Sequence, residues 1–151
     1  MKNFINRVKN ISKKGIDYPI GIKHHGKVGK HLEDILVESP HTKNKPDMNN
    51  LELKTKHIDK QNIIGLANYS NAEDCFNKTI DKIKKGLALV TYNTNNKKIY
   101  LKTLTLFSKF SLKDFSLYMN PYYGTKIDHK INIKDLYKVF KKSKTYNLEG
   151  R

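Results

Sequence analysis

The sequence predicts an α/β (α+β) layer fold, a mixed sheet of about four strands flanked by helices. Three observations point there. Apolar residues recur at helical spacing in some segments and at period two in others, and the two kinds of segment alternate along the chain. A length of 151 residues suits one hydrophobic core, and no internal repeat or linker interrupts it, so residues 1–151 are expected to form a single domain. With 37% hydrophobic residues but only 8 Gly and 4 Pro, the composition supports a packed core rather than disorder.

Residues 2–14 place Phe4, Ile5, Val8 and Ile11 on one helical face, with Gly15 where a helix C′ residue belongs. The segment Gly15 to Lys27 reads as turns. From Val28 to Val37, the residues Val28, Leu32, Ile35 and Leu36 share a face with Glu33 beside it, which predicts a second helix. A loop rich in Lys, Asn and Pro covers 40–50, and Leu51 to Lys56 then alternates apolar and polar as a strand. Asn71 followed by Asp74 has the pattern of an N-cap with an acid at N3, and Ala72, Phe76, Ile80 and Ile83 carry the helix toward Gly86. Leu87 to Tyr92, the polar Asn93 to Asn96, and Lys98 to Phe107 predict an antiparallel hairpin whose first half is buried on both faces. Ser111 with Asp114 predicts a short helix to about Met119, Ile127 to Ile133 a strand, and Asp135 to Lys142 a last helix.

Charge narrows the function. Lys and Arg number 30 against 14 Asp and Glu, a formal net charge of +16, so the surface attracts polyanions. An anionic membrane is one such surface, but the lysines are scattered through every segment instead of lying opposite one apolar stripe. Nucleic acid fits better. The N-terminal residues lack the apolar run of a secretory signal, no segment approaches the roughly 18 apolar residues of a membrane span, and a single cysteine, Cys75, precludes an intramolecular disulfide framework or a cysteine-based zinc knuckle. A cytoplasmic protein is expected.

The stretch from Pro46 to Lys54 carries the chemistry. Side chains two apart on a strand share a face, so Glu52 and Lys54 project together while Leu51, Leu53 and Thr55 turn to the other side. Asp47 precedes the strand by a loop short enough to bring its carboxylate beside Glu52, making two hard oxygen ligands for Mg²⁺. Lys54 would then stand next to the metal's water. Such a set suits phosphodiester hydrolysis, because the ion neutralises phosphate charge and the lysine orients the nucleophile.

Pro46-Asp47, a gap of four residues and Glu52-x-Lys54 resemble the PD-(D/E)XK nuclease motif. Upstream, Gly26-Lys-Val-Gly29-Lys-His-Leu32-Glu33-Asp-Ile-Leu36 resembles the Gly-x-x-Gly-x-x-Leu-Glu-x-x-Leu helix of the MutH-like nucleases. The short Asp-to-Glu gap and Thr105-Leu-Phe107 are similar to the MvaI/BcnI type II restriction endonucleases, whereas Glu52-Leu-Lys-Thr55 also reads as the mismatch-repair nicking enzyme. The resemblance implies a restriction-endonuclease-like fold and a Mg²⁺-dependent endonuclease, with Mn²⁺ able to substitute. It makes Asp47 and Glu52 the metal-binding acids, Lys54 the catalytic lysine and Glu33 an accessory acid, with the Leu53 carbonyl a further ligand. It also implies double-stranded DNA as partner, no membrane, no small-molecule cofactor, and a monomer or homodimer. Gly26 and Gly29 would offer backbone N–H groups to phosphate, and Lys56, Lys97, Lys98 and Lys126 would be phosphate contacts.

Each of these residues has a plainer reading. Asp47, Glu52 and Lys54 would be a solvated strand face after a polar loop, Glu33 a surface acid near Lys30 or Lys23, and the two glycines a turn and helix start. The protein would then be a non-catalytic basic DNA- or RNA-binding module, or a factor bound to structured RNA. His24, His25 and His31 lack the cysteines and further ligands that a zinc site needs, and Asp128 and His129 read as ordinary strand residues. Tyr122 and Tyr123, before Gly124, are either aromatic contacts to DNA or part of the core and its rim.

Overall fold

A computed structural model describes residues 2–17, 25–36, 51–58, 62–84, 86–95, 97–108, 119–121, 127–140 and 143–148. The elements are α1 (Lys2–Lys14), β1 (Ile16–Asp17), α2 (His25–Leu36), β2 (Glu52–His57), β3 (Ile63–Tyr69), α3 (Ala72–Ile83), β4 (Leu87–Asn95), β5 (Lys98–Phe107), β6 (Met119–Pro121), β7 (Ile127–Asn132), α4 (Ile133–Val139) and β8 (Ser143–Asn147). The mixed sheet and its flanking helices agree with the fold class read from the sequence.

The main sheet runs β1-β5-β4-β2, with β8 also pairing β5. Among the described residues, β2 with β4 is its one parallel pairing. Adjacent parallel strands need a crossover, which the chain makes through β3 and α3 before it re-enters the sheet at Leu87. A second, antiparallel sheet, β3-β7-β6, lies beyond that crossover.

Alternation along the strands divides the core in two. On one side of the main sheet, Leu53, Ala88, Val90, Tyr92, Ile99 and Leu101 pack against Phe4 and Val8 of α1 and against Val28, Leu32 and Leu36 of α2. On the other, Leu87, Leu89 and Phe107 meet Ile64, Leu66, Ile83, Ile131, Leu136 and Phe140 from the second sheet and its helices. We call these the helical face and the crossover face. Each apolar helix stripe drives its element onto one of them.

Local chemistry sets the helix ends. Gly15 takes φ 73° and its N–H bonds the Ile11 carbonyl at 2.9 Å, closing α1 as the C′ position required. Arg7 of α1 donates to the Leu36 carbonyl at 3.1 Å, tying α1 to the end of α2. At α3 the Asp74 N–H bonds Asn71 Oδ1 at 2.8 Å and Asn71 Nδ2 donates to Asp74 Oδ2 at 2.9 Å, the reciprocal cap read from the sequence.

Several boundaries differ from expectation. Helix α2 begins at His25, not Val28, and β1 occupies part of the segment read as turns. Met119, expected at the end of a helix, is in β6 opposite His129, because pairing with β7 overrides local helix propensity there; residues 111–118 of that helix lie outside the described residues. The last helix starts earlier, at Ile133, where Asn132 accepts the Lys134 N–H at 2.9 Å as N-cap. Strands β3 and β8 had no counterpart in the sequence reading.

Among the described residues, no helix is long and apolar enough to cross a membrane.

Candidate active site

Strand β2 sits at an edge of the main sheet, paired on one side with β4. Glu52 and Lys54 stand opposite Leu87 and Leu89, so they share the crossover face, while Leu53 and Thr55 stand opposite Ala88 and Val90 on the helical face. The expected register holds. Lys54 Nζ lies 4.0 Å from Glu52 Oε1, with the side chains 21% and 5% exposed. That distance lies beyond hydrogen-bonding range, so the ammonium feels the carboxylate's charge while keeping its N–H groups for another anion.

Glu52 is the unusual member. A carboxylate at a buried strand position resists desolvation unless a cation or donor compensates it, and Oε2 is shut off from solvent as well. A divalent ion would compensate it well. The backbone offers a second oxygen from the next residue. The Glu52 and Ile58 N–H groups bond the Gly86 and Tyr92 carbonyls on the β4 side, at 3.3 and 2.8 Å. Polar groups of successive strand residues point to opposite sides, so Leu53 directs its carbonyl away from β4. A carboxylate and a carbonyl from adjacent residues are hard oxygen donors of the type Mg²⁺ takes.

The other acids stand apart or beyond view. Asp47 lies outside the described residues, and so does Lys126. Glu33 is half-buried on α2, whose apolar stripe covers the helical face; β2 is the edge strand, so Glu33 could approach Glu52 only around that edge. Among the described residues no group of three or more His, Cys, Asp and Glu could hold a metal ion.

The glycines and basic residues divide similarly. Gly26 and Gly29 fall inside α2. A Cβ on Gly29 would come within 2.8 Å of Thr55 Oγ1, so this glycine lets the helix approach β2 closely. Lys56 shares the face of Glu52 and Lys54. Lys97, exposed at φ 62°, and Lys98 form the β4–β5 turn. Asn95, opposite Lys98, is six residues past Leu89, the partner of Lys54, so that turn lies roughly 20 Å along the strand from Lys54. The structure therefore brings Lys54 to Glu52, puts Lys56 on the same face farther along the strand, and leaves Lys97 and Lys98 at the far end of the sheet.

Two features escaped the sequence reading. One is a cleft of about 390 Å³ on the crossover face, lined by Lys54, Gly65, Leu66, Ala67, Asn68, Lys82 and Lys130. Its walls come from β2, β3, α3 and β7, and no spacing in the sequence announces that convergence. The other is a buried polar chain behind it. Thr79 donates to the Cys75 carbonyl, so at the 2.9 Å contact with His129 its oxygen accepts from Nδ1–H. Nε2 is then the unprotonated nitrogen, shut off from solvent, and desolvation lowers the His129 pKa below its usual value.

No protein-family model matches the sequence, and no curated protein sequence matches it. A solved structure does. The chain aligns over 97% of its length, and over 97% of the other chain, with a restriction endonuclease, MvaI, in complex with its cognate DNA substrate; the TM-score is 0.70 and the identity 12%. The likeness is one of fold, restriction-endonuclease-like, and bears out the fold that the Pro46–Lys54 and Gly26–Leu36 segments implied.

Proposed function

We propose that the protein is a Mg²⁺-dependent endodeoxyribonuclease of restriction or strand-nicking type, acting on duplex DNA as a monomer or homodimer, with residues 1–151 as one nuclease domain. One observation carries the reading: a buried Glu52 with Lys54 4.0 Å away, on an edge strand of a restriction-endonuclease-like fold. The solved neighbour holds its cognate DNA substrate, and this chain's net charge of +16 suits the same partner.

In this reading Glu52, the Leu53 carbonyl and Asp47 hold the ion, with Glu33 as an accessory acid. The bound ion supplies charge neutralisation at the scissile phosphate and acidifies water. Lys54, held over the cleft by its strand and by the field of Glu52, donates to the attacking water or to a phosphate oxygen as charge develops there. Face alternation keeps this work away from the side chains of Leu53 and Thr55, which face the opposite core. Lys56 lies on the same face and holds the DNA backbone beside the cut, while Lys97, Lys98 and Lys126 meet it farther away.

Incubation of supercoiled plasmid with the purified protein in Mg²⁺, Mn²⁺ or chelator tests this. Open circles or linear DNA are expected with either ion and none in chelator, and the product form separates nicking from double-strand cleavage. DNA binding that is equal in all three conditions, with no cleavage in any, would establish a binding module instead. Asp47→Ala is expected to stop cleavage while binding stays within a few-fold, because it removes a metal ligand and a negative charge from a site facing phosphate.

A further inference from the structure

The cleft beside Lys54 holds more positive charge than one catalytic lysine accounts for. Lys54 enters from β2, Lys82 from the last turn of α3 and Lys130 from β7, and among the described residues no carboxylate lines the space between them. All three are half-buried, unlike Lys9, Lys13, Lys84 and Lys98, which stand in solvent. Packed stems leave less side-chain freedom to lose on binding. Lys54 has Glu52 as a partial counter-charge, whereas among the described residues no carboxylate pairs with Lys82. Three lysines from three elements line one small cleft, and an anion entering it meets a positive field.

The wall supplies room and neutral donors. Gly65 stands opposite Lys130 in the β3–β7 pairing, and the register shifts between Gly65 and Ala67. A bulge of this kind re-aims the backbone and is common beside functional sites. A Cβ built on Gly65 meets nothing within 4 Å, and its φ is not in the left-handed region, so neither packing nor conformation demands glycine there. What the glycine leaves is open space in the cleft wall, with Asn68 beside it.

We propose that Lys82 and Lys130, together with Lys54, form a seat for a second backbone phosphate of the nucleic-acid strand, adjacent to the one Glu52 and Lys54 would act on. The assignment of the neighbouring phosphate as the scissile one rests on the nuclease reading; the seat itself does not. A phosphodiester suits the seat, because its negative charge is drawn to the lysines and its several acceptor oxygens can be met by ammonium groups arriving from three elements.

Duplex binding in chelator, measured across ionic strengths, tests the seat without any cleavage. Lys82→Gln with Lys130→Gln should flatten the slope of log K against log salt by about 0.9, the loss of one phosphate contact, each change alone should give part of that, and Lys82→Arg should keep the wild-type slope. Gly65→Glu, which places a carboxylate in the cleft, should weaken binding at least as much as either lysine change. Melting curves of each variant report folding independently. Duplexes with a single methylphosphonate locate the contact: Lys82→Gln should lose its effect only on the duplex whose seated phosphate is neutral. Inorganic phosphate serves as the competing source. If it occupies the cleft while the lysine variants keep the wild-type slope on DNA, the seat is not for nucleic acid and the proposal fails. A wild type that binds with these slopes yet cuts nothing in Mg²⁺ overturns the nuclease reading and leaves the seat standing. A wild type that cuts, with lysine and Gly65→Glu variants that bind unchanged, overturns the seat and leaves the nuclease reading standing.

Discussion

The two faces of strand β2 differ in both packing and charge. On the helical face, Leu53 is fully buried among α1, α2 and β4, and the helix comes close enough that Gly29 nearly touches Thr55. On the crossover face, one residue to either side, stand a buried carboxylate and an ammonium, and the ammonium lines a cleft with two more lysines. One six-residue strand thus serves packing with its odd residues and charge with its even ones. Rigid apolar packing behind the strand holds the charged groups at a constant spacing, which is what a reaction on phosphate requires.

Five changes would break or sharpen this contrast, and the first carries the largest effect. Lys54→Ala should lower single-turnover DNA cleavage by about 10² to 10⁴-fold, equivalent to about 3 to 5 kcal/mol, with little change in the urea midpoint. Glu52→Gln should also stop cleavage but by weakening Mg²⁺ binding, with partial relief by excess Mn²⁺, as calorimetric titration of the ion would record. If Lys54→Ala loses the ion and Glu52→Gln keeps it, the roles assigned to the two side chains are reversed.

Leu53→Ala lies between them in sequence and should behave in the opposite way. It should cost about 2 to 5 kcal/mol in urea unfolding through the cavity it leaves, while cleavage per folded molecule stays near wild type, because the Leu53 carbonyl belongs to the backbone.

A smaller effect is expected at the contact between helix and strand. Gly29→Ala should destabilise by about 1 kcal/mol in the wild-type background, since the new methyl meets Thr55 Oγ1. With Thr55→Ala already present, the same change should stabilise by about 0.5 to 1 kcal/mol, because alanine is the better helix former. An equal effect in both backgrounds would mean that Gly29 is retained for something other than packing, such as the approach of a phosphate to α2.

The smallest effect lies at His129, behind the cleft. Burial lowers its pKa in the folded protein, so between that value and the unfolded pKa of about 6.5 the unfolded chain binds more protons. This contribution to stability is intact above about pH 6.5 and is lost as pH falls toward the folded value. Urea unfolding of wild type and His129→Gln at pH 7.5 and 5.5 should show the steeper loss in wild type.

Much of the architecture was legible in local sequence. The reciprocal Asn71–Asp74 cap, the hairpin from Leu87 to Phe107 and the alternation that pairs Glu52 with Lys54 all depend on residues near one another in the chain. Strand β3 was not legible, because Ile63, Ile64, Gly65, Leu66 and Ala67 form a run without polar alternation and carry the bulge. Strand β8 is exposed along most of its length and exists by pairing with β5, so its side chains carry no apolar rhythm.

The amino-acid sequence by itself determined which residues share a face of β2 and which chemistry they could support, since a strand's period of two is a property of the backbone alone. Tertiary structure decided what faces them. Lys82 and Lys130 are 28 and 76 residues from Lys54 and follow no common period, yet they reach one cleft because β4 lies parallel beside β2 and forces the chain to cross over through β3 and α3, with β7 pairing onto β3. Contacts made by such a crossover depend on how separate elements pack together, and local spacing carries no record of them.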